Sequence, residues 1–554
     1  MIALFFSSVV TLFFLIISGV SVTKILRIPS SFTEKILLGL VFSNTVVTFL
    51  SLFFPINFFI VLLLFTVCAF GAFFLRKELK LLGWELLRKK SIFLWALPFI
   101  GIAFIIALGR PMNYDTGLYH LQSIKWIEEY AVIPGLANLH GRFGFNPNIF
   151  TFFSLISLRD IFWQEIFSVN FTLFSILVVY CIDTLRSLFR TKGISNMFLF
   201  LFSVLYITLL LRHNLSTPSP DFLIAAVSLF IFVRMLDISR TEKTVHLGKY
   251  IPILILSVYL VTVKLSALPI MLLCIFIFVR TRSELKKSLW IVLWMVFILL
   301  PWLIRNIILT GWLIYPFPSL DVFNFDWQVP LNMVMSERDF VIGWARNPGT
   351  QFTSVINLSL LDWFPIWWQR MTYNGQLFFL SSLAFPIIAL IGQWTRKITL
   401  SFAENAVIVT SFCGVLFWFF MAPDWRFGVW FLAVASLSPL LFLRFSWVPS
   451  KKSTLIFRLF MLSLIGLFAF CNQNILTKNF YDIFFSQSAL ITPRKLSIPK
   501  DITFQTYTIH WVTISVPSGR GGECFNHSIP CTPYLNSALR LRGETVKSGF
   551  TLSR

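Results

Sequence analysis

Apolar runs of about twenty residues recur from Met1 to about Cys471, and short polar or basic segments separate them. A helix of this length crosses the ~30 Å hydrocarbon core of a bilayer. A helix also satisfies its own backbone hydrogen bonds in lipid. The pattern therefore predicts an all-α polytopic membrane protein with about fourteen transmembrane helices. We place these spans at 2–22, 36–54, 57–75, 91–109, 166–182, 195–211, 221–235, 249–264, 266–279, 288–304, 376–393, 404–421, 427–443 and 453–471.

The distribution of basic residues predicts the orientation of these spans. Lys and Arg cluster in short segments between apolar runs, for example at 24–35, 76–90 and 280–287. Cytoplasmic loops carry such clusters, and all of them fall on one side of the predicted spans. Three longer polar segments then lie outside: 110–165, 305–375 and the tail, 472–554. We divide the chain into a transmembrane domain, 1–471, and a small extracytoplasmic C-terminal module, 472–554.

The composition bears on the partners of the chain. Of its 554 residues, 57% are hydrophobic and 13% are charged, and the formal net charge is +22. A nucleic-acid surface would collect that charge on one polar domain, whereas here it is spread between the apolar runs. We therefore predict membrane lipid as a partner, and no nucleic acid. The predicted location is a bacterial inner membrane, with the functional site facing the periplasm.

Periodicity inside the external segments predicts further elements. In the first external loop, 110–165, Leu118, Leu121, Ile124 and Ile127 recur every third residue, which is typical of an amphipathic helix at the membrane interface. A second interfacial helix is predicted at the apolar stretch from Ile149. The second external loop, 305–375, is rich in aromatic residues. These can anchor the loop at the membrane surface or stack against sugar rings.

The tail has a different pattern. "ITFQTYTIHWVTISVP", from Ile502, alternates apolar and polar residues and predicts one or two strands. Cys524 and Cys531 are the two cysteines in this polar region. They are candidates for a disulfide, which would require an oxidising compartment. Their spacing is too wide for a CxxC redox motif, and two cysteines alone do not indicate zinc.

The first external loop contains the acidic residue that is the best catalytic candidate. Asp115 follows an apolar run by a few residues. A carboxylate near the end of a span can act as general base for a substrate hydroxyl. Alternatively, Asp115 or Thr116 caps a helix that begins at Gly117; the two roles are compatible. Tyr119 lies one helical turn beyond Asp115, so both can face one pocket.

Basic residues at the outer ends of other spans are candidate phosphate ligands. Lys264, Arg305 and Arg426 each lie at a predicted outer boundary, and guanidinium groups bind phosphate oxygens in a bidentate way. Lys264 can instead snorkel to the membrane surface, and Arg426 can instead form a structural pair with Asp424. Asp221 lies at another outer boundary. Acids and bases at one membrane level suit a site that deprotonates an acceptor and binds a departing phosphate.

Two histidines complete the candidates. His120 and His140 can donate to a phosphate or orient an acceptor, or they can be ordinary loop residues. The chain contains no Walker A motif, no GxGxxG after a strand and no HExxH. The sequence therefore indicates no particular cofactor; a divalent metal is possible, but no motif supports one.

Three segments resemble the GT-C class of polytopic glycosyltransferases, which use polyprenyl-phosphate-linked sugars. In that class the first external loop carries an acidic catalytic residue followed by an amphipathic juxtamembrane helix, and Asp115 occupies that position. Many members have a second acid next to it, whereas Thr116 follows here, which leaves a second carboxylate and metal dependence open. The matching segments are "NYDTGLYHLQSIKWIEEYAVIPGLANLHGRFGFN" from Asn113, "PWLIRNIILTGWLIYP" from Pro301 and "APDWRFG" from Ala422.

The chain is more similar still to an uncharacterised family of large bacterial membrane proteins linked to surface-polysaccharide synthesis. The segment "CFNHSIPCTPYLNSALRLRGETVKSGF", from Cys524, resembles the C-terminal part of that family. The resemblance implies a GT-C-like transmembrane domain. It also implies transfer of a sugar from a polyprenyl-phosphate carrier to a cell-surface glycan or lipid-linked acceptor.

Three other functions stay open from the sequence. An O-antigen-type polysaccharide polymerase would share the spans and lipid-linked substrates but depend on the Arg residues of the external loops. A lipid-linked oligosaccharide flippase or transporter would not be an enzyme, and such proteins often have short loops and a repeat relating two halves. A structural scaffold is the third alternative.

Overall fold

The computed structural model describes residues 1–111, 113–188, 212–241, 246–397, 399–441, 453–485, 490–519 and 522–553. These residues are mainly helical. Four short strands occur in the tail, at Thr503–Ile509, Val512–Ser518, Leu539–Leu541 and Phe550–Leu552. The α-helices are Ile2–Leu26, Phe32–Leu50, Phe58–Phe74, Arg76–Arg88, Lys90–Ala107, Leu121–Glu129, Ile149–Ile156, Arg159–Phe162, Val169–Leu188, Pro220–Thr241, Leu247–Val263, Met271–Arg280, Leu285–Thr310, Leu331–Arg346, Thr353–Ile356, Leu360–Arg370, Tyr373–Trp394, Phe402–Met421, Val429–Ser436, Ser453–Cys471 and Gln473–Phe485.

The protein is an all-α integral membrane protein, but its described residues contain fewer spans than the sequence predicts. Within the described ranges, eight helices are long and apolar enough to cross a membrane. The count is nine if Phe58–Phe74 and Arg76–Arg88, which meet at 84°, form one broken span. The prediction of about fourteen spans therefore counts too many, and one of those predicted spans, 195–211, lies outside the described residues.

The predicted number of spans is too high because an apolar run is not always one long helix. Leu247–Val263 has 17 residues and is followed by a 3₁₀ turn, Leu265–Ile270, before the 10-residue helix Met271–Arg280. The helix Val429–Ser436 has only 8 residues.

Small residues allow the first two helices to pack closely. A Cβ at Gly19 would lie 1.9 Å from the carbonyl oxygen of Lys35, and one at Gly39 would lie 2.0 Å from that of Leu15. Such close approach of backbones is typical of helices in membranes. Glu34 forms a capping box with Ser31 at the start of the second helix. It also accepts from Arg234 Nε at 2.7 Å, which links this helix to Pro220–Thr241.

A buried polar network fixes the first loop (110–165) against the helices. Asn44 Nδ2 donates to Thr151 Oγ1 at 2.7 Å, and Tyr259 Oη donates to Asn44 Oδ1 at 2.7 Å. Asn148 Nδ2 donates to Thr262 Oγ1 at 3.1 Å. Hydrogen bonds between buried side chains offset the cost of removing them from water. The network therefore holds Ile149–Ile156 between Phe32–Leu50 and Leu247–Val263.

The helix predicted from the first-loop periodicity is present at Leu121–Glu129, but the tail covers its polar side. Gln122 Nε2 donates to the carbonyl of His527 at 2.9 Å, and Lys125 Nζ donates to that of Asn526 at 3.0 Å. Both side chains are buried. Periodicity predicts which face of a helix is apolar, but it does not predict that another part of the chain covers the polar face.

The tail (472–554) contains two antiparallel strand pairs, and the second pair packs onto the first loop. Thr503–Ile509 pairs with Val512–Ser518, which agrees with the prediction of one or two strands, and Leu539–Leu541 pairs with Phe550–Leu552. Backbone bonds dock the second pair, because Phe550 N donates to the carbonyl of Pro134 at 2.9 Å. Arg542 Nε lies 2.6 Å from Asp326 Oδ2 and joins the tail to the second loop (305–375).

Candidate functional site

The first loop, the second loop and the tail meet around a cavity of about 1020 Å³. Residues at the ends of several helices complete its wall. Seven of the eight site residues predicted from the sequence line this cavity. They are Asp115, Tyr119, His120, His140, Asp221, Lys264 and Arg426.

Asp115 precedes a single π-helical turn, Thr116–His120, that leads into Leu121–Glu129. Its side chain makes no capping hydrogen bond, and its Oδ2 lies 3.1 Å from Arg426 Nη1. Among the described residues, the buried Thr116 Oγ1 has no hydrogen-bond partner either. Neither residue therefore caps the helix through its side chain, and the Asp115 carboxylate is directed to a cation 311 residues away in sequence.

Arg426 lies in a short turn, Trp425–Phe427, between two helices. Asp424 Oδ1 accepts from the backbone N of Arg426 at 2.9 Å and lies 3.4 Å from its Nε. The structural pair considered from the sequence is therefore present, and Arg426 reaches Asp115 as well. Burial lowers the pKa of Arg426, but the carboxylates of Asp424, Asp221 and Asp115 outweigh it, so the pKa stays above its ordinary value. Arg426 is a permanent cation.

A second acid–base pair lies in the same cavity. Lys264 Nζ lies 2.5 Å from Asp221 Oδ1, and it also lies 4.0 Å from the centre of the Phe427 ring. Asp221 is buried, whereas the Lys264 side chain is 24% exposed. Lys264 ends the helix Leu247–Val263 and begins the following 3₁₀ turn. The break in the apolar run therefore places its ammonium group in the cavity.

The structure does not bring Arg305 to the wall of this cavity. Its side chain is buried near the end of Leu285–Thr310. Nε donates to Asn146 Oδ1 at 3.0 Å, and Nη1 donates to Ser51 Oγ at 3.0 Å. These contacts fix the first loop to two helices. A position at the end of a span did not predict on which side of the helix the guanidinium would lie.

The two predicted histidines are uncharged near neutral pH. Burial lowers the pKa of His120 to about 4 and that of His140 to about 3. Their rings pack edge-on against aromatic neighbours, His120 against Tyr119 and His140 against Tyr534. Burial also raises the pKa of Tyr119 above its ordinary value. These residues can therefore act only as neutral hydrogen-bonding or packing groups.

The comparison with protein families bears on the part of the chain that builds this site. A family model described as "Domain of unknown function (DUF8201)" matches residues 1–433. The chain belongs to this family. No curated protein and no solved structure matches the chain. The matched region of this DUF8201 member contains all eight site residues predicted from the sequence.

The tail lies beyond the matched region. Cys524 and Cys531, the disulfide candidates of the sequence, form a disulfide with their Cα atoms 6.0 Å apart. Pro533 and Tyr534, which the sequence did not single out, follow it and line the cavity. Burial and the Asp115 carboxylate raise the pKa of Glu523 to about 7. Glu523 also lies close to the first loop, because a Cβ at Gly117 would be 2.1 Å from its Oε2; the tail therefore adds a carboxylate beside Gly117, which is two residues along the chain from Asp115.

A further pair on the cavity wall was also absent from the sequence-based candidates. Arg142 Nε lies 3.2 Å from Glu337 Oε2, and the guanidinium packs over the rings of Phe145 and Phe340. The available signal was the helical spacing in the second loop, where residues 337, 340, 341 and 344 share one face. Among the described residues, no group of three or more His, Cys, Asp and Glu side chains is arranged to hold a metal ion.

Proposed function

We propose that this protein is a membrane glycosyltransferase of the GT-C type. In this proposal it transfers a sugar from a polyprenyl-phosphate carrier to a cell-surface glycan or lipid-linked acceptor. The reaction takes place at the extracytoplasmic face of a bacterial inner membrane. The observation that carries the proposal is the pairing of the Asp115 carboxylate with Arg426 in a large cavity that also contains Lys264.

Each charged group has a role in this reaction. Asp115 takes the proton of the acceptor hydroxyl as general base. The hydroxyl oxygen bonds to the anomeric carbon of the donor sugar while the bond from that carbon to the phosphate oxygen breaks. The electron pair of the broken bond stays on the phosphate, where Arg426 and Lys264 stabilise the developing charge. Direct displacement of this kind inverts the anomeric centre.

Donor binding must change the pairing of these groups. The carboxylates of Asp115, Asp221 and Asp424 outnumber the cations Lys264 and Arg426. Each of these two cations already contacts a carboxylate, so a phosphate must compete for it. Arg426 contacts both Asp115 and Asp424. A donor phosphate that hydrogen-bonds to the guanidinium therefore releases Asp115 from its partner. In this proposal the base becomes available only when the donor is bound.

A second candidate function follows from other residues of the same wall. Arg142 and Arg338 also line the cavity, and an O-antigen-type polymerase would depend on such arginines. Both contact a carboxylate, Arg142 that of Glu337 and Arg338 that of Asp339. Neither of these two contacts involves Asp115 or Lys264, the acidic and the basic residue of the proposed transfer, so we rank the polymerase second.

Complementation of a strain that lacks the gene separates these functions. The surface glycans of cells that express wild type, Asp115→Asn, Arg426→Ala or Arg338→Ala would be compared at equal protein abundance in the membrane. Asp501→Asn and Arg282→Ala, two exposed positions, are the matched controls. We expect loss of the glycan with Asp115→Asn and Arg426→Ala only. Full glycan with Asp115→Asn would remove the transferase mechanism, and loss with the arginine variants alone would favour the polymerase.

A further inference from the structure

One face of the second-loop helix Leu331–Arg346 forms a wall of the cavity. Glu337, Phe340, Val341 and Trp344 all line it, because the spacing i, i+3, i+4, i+7 places them on the same side of a helix. Phe340 is 39% exposed and Trp344 is 37% exposed. Their ring planes lie within 10° of parallel, with centroids 6.4 Å apart. The cavity therefore has an aromatic surface, on a helix that contains neither Asp115 nor Arg426.

Charged and hydrogen-bonding groups adjoin this aromatic surface. The Arg142 guanidinium lies 4.9 Å from the centre of the Phe340 ring and 3.2 Å from the Glu337 carboxylate (Nε to Oε2). Tyr534, from the tail, lines the same cavity and interacts with the Glu337 carboxyl. The first loop, the second loop and the tail each contribute one of these polar groups. A wall built from three distant segments is a feature of the folded protein and not of one local motif.

The charge balance at this end of the cavity indicates the class of ligand. Arg142 and Glu337 neutralise each other, so the wall carries donors and acceptors but little net charge. An anionic ligand would have to displace Glu337 from Arg142. A hydrocarbon chain would leave a largely buried ion pair in contact with lipid, which is costly. A neutral, hydroxyl-rich ligand needs neither change, because its hydroxyls can donate to Glu337 and accept from Arg142 and Tyr534.

We propose that Phe340, Trp344, Arg142, Glu337 and Tyr534 form a subsite for an uncharged sugar unit of the acceptor glycan. The apolar C–H face of a sugar ring packs on the aromatic side chains, and its hydroxyls bond to the ion pair and the phenol. This inference rests on the proposed function and adds to it the site and the chemical class of the acceptor. The tail takes part in acceptor binding through Tyr534.

A binding measurement on the full-length protein in lipid nanodiscs tests the subsite. The probes are radiolabelled short oligosaccharides, released by mild acid from the surface glycan of the source strain, and farnesyl phosphate as a short lipid-phosphate probe. The variants are Trp344→Leu and Glu337→Gln. Trp394→Leu, which alters an 85% exposed tryptophan outside the cavity, is the matched control. Gel-filtration profiles and unfolding temperatures would establish that each variant is folded.

We expect Trp344→Leu and Glu337→Gln each to weaken oligosaccharide binding by about tenfold, the effect of losing one aromatic or hydrogen-bonding contact. Farnesyl phosphate binding should not change, and Trp394→Leu should bind both probes as wild type does. Unchanged oligosaccharide binding in both folded variants would overturn the subsite. So would a loss of farnesyl phosphate binding alone, because the helix face would then hold the lipid.

Asp115→Asn separates this inference from the proposed function. We expect this variant to bind the oligosaccharides as wild type does while it makes no product. If Asp115→Asn keeps full activity and Trp344→Leu still weakens oligosaccharide binding, the subsite stands and the transferase mechanism fails. If Asp115→Asn is inactive and Trp344→Leu binds normally, the mechanism stands and the subsite fails.

Discussion

The guanidinium of Arg426 lies 3.1 Å from the carboxylate of Asp115 in the folded protein. Both side chains are partly exposed to the cavity, at 33% for Arg426 and 22% for Asp115. An exposed ion pair of this kind contributes little to stability. Its significance lies in the chemistry that it allows, because a ligand in the cavity can reach both groups and compete for either of them.

Substitutions of these two residues should affect different kinetic constants. Asp115→Asn removes the general base and leaves the phosphate ligand, so we expect kcat to fall by about 10²–10⁴-fold with little change in the donor KM. Arg426→Ala removes a charge-assisted contact to the phosphate. In this variant we expect the donor KM to rise in addition to the fall in kcat. Initial rates with purified protein and a panel of polyprenyl-phosphate sugars would measure both. A rate within twofold of wild type for Asp115→Asn would contradict the assignment.

The Asp221–Lys264 pair should behave as a structural unit as well as a ligand site. Lys264→Met leaves a buried carboxylate without its partner, and breaking such a pair costs about 3–5 kcal/mol. The double variant Lys264→Met/Asp221→Asn removes both charges, so we expect it to regain most of the unfolding temperature in detergent. It should not regain activity, because in the proposed mechanism Lys264 stabilises the donor phosphate. If the double variant is no more stable than Lys264→Met, the two residues do not act as a pair.

The positions of Asp115, Asp221, Lys264 and Arg426 could be predicted from the sequence for a simple physical reason. Each lies at the end of an apolar run, and the bilayer brings the ends of helices to one level. Arg305 satisfies the same criterion, yet it donates to Asn146 and Ser51. The end of a span determines the depth of a side chain but not its direction around the helix.

The contributions of the tail and the second loop could not be predicted in this way. Tyr534, Glu523 and Glu337 reach the cavity or its surroundings through contacts between segments that are hundreds of residues apart, and no local pattern encodes such contacts. The number of spans was overestimated for a related reason. Hydropathy measures the length of an apolar run, whereas turns such as Leu265–Ile270 divide a run into shorter helices.

The buried His120 should make the protein sensitive to acid. Its pKa is about 4 in the folded protein and 6.5 ordinarily, so the unfolded chain binds a proton that the folded protein does not. Stability is therefore fully present above pH 6.5 and is lost as the pH falls toward 4, by roughly 3 kcal/mol for this residue. The unfolding temperature of His120→Asn should fall less between pH 7 and pH 4 than that of the wild type. If the unfolding temperatures of wild type and His120→Asn fall equally between pH 7 and pH 4, His120 does not titrate in this range.

Glu523 should have the opposite effect, and its effect should be confined to the tail. Burial and the nearby Asp115 raise its pKa to about 7 from the ordinary 4.5, so the folded protein holds a proton that the unfolded chain releases. The stability contribution is then present at pH 4.5 and declines as the pH rises to 7. We expect the docked segment 522–534 to exchange its amide hydrogens faster at pH 8 than at pH 5, after correction for the intrinsic pH dependence of exchange.

Glu523→Gln tests this directly, because the amide keeps the shape of the side chain and cannot become charged. The corrected exchange of 522–534 in this variant should be the same at both pH values, as measured by mass spectrometry. Glu544→Gln, at an exposed glutamate of the tail, should retain the wild-type difference. If Glu523→Gln also retains it, repulsion between Glu523 and Asp115 is not what loosens the tail, and the proximity of the two carboxylates has no consequence for docking.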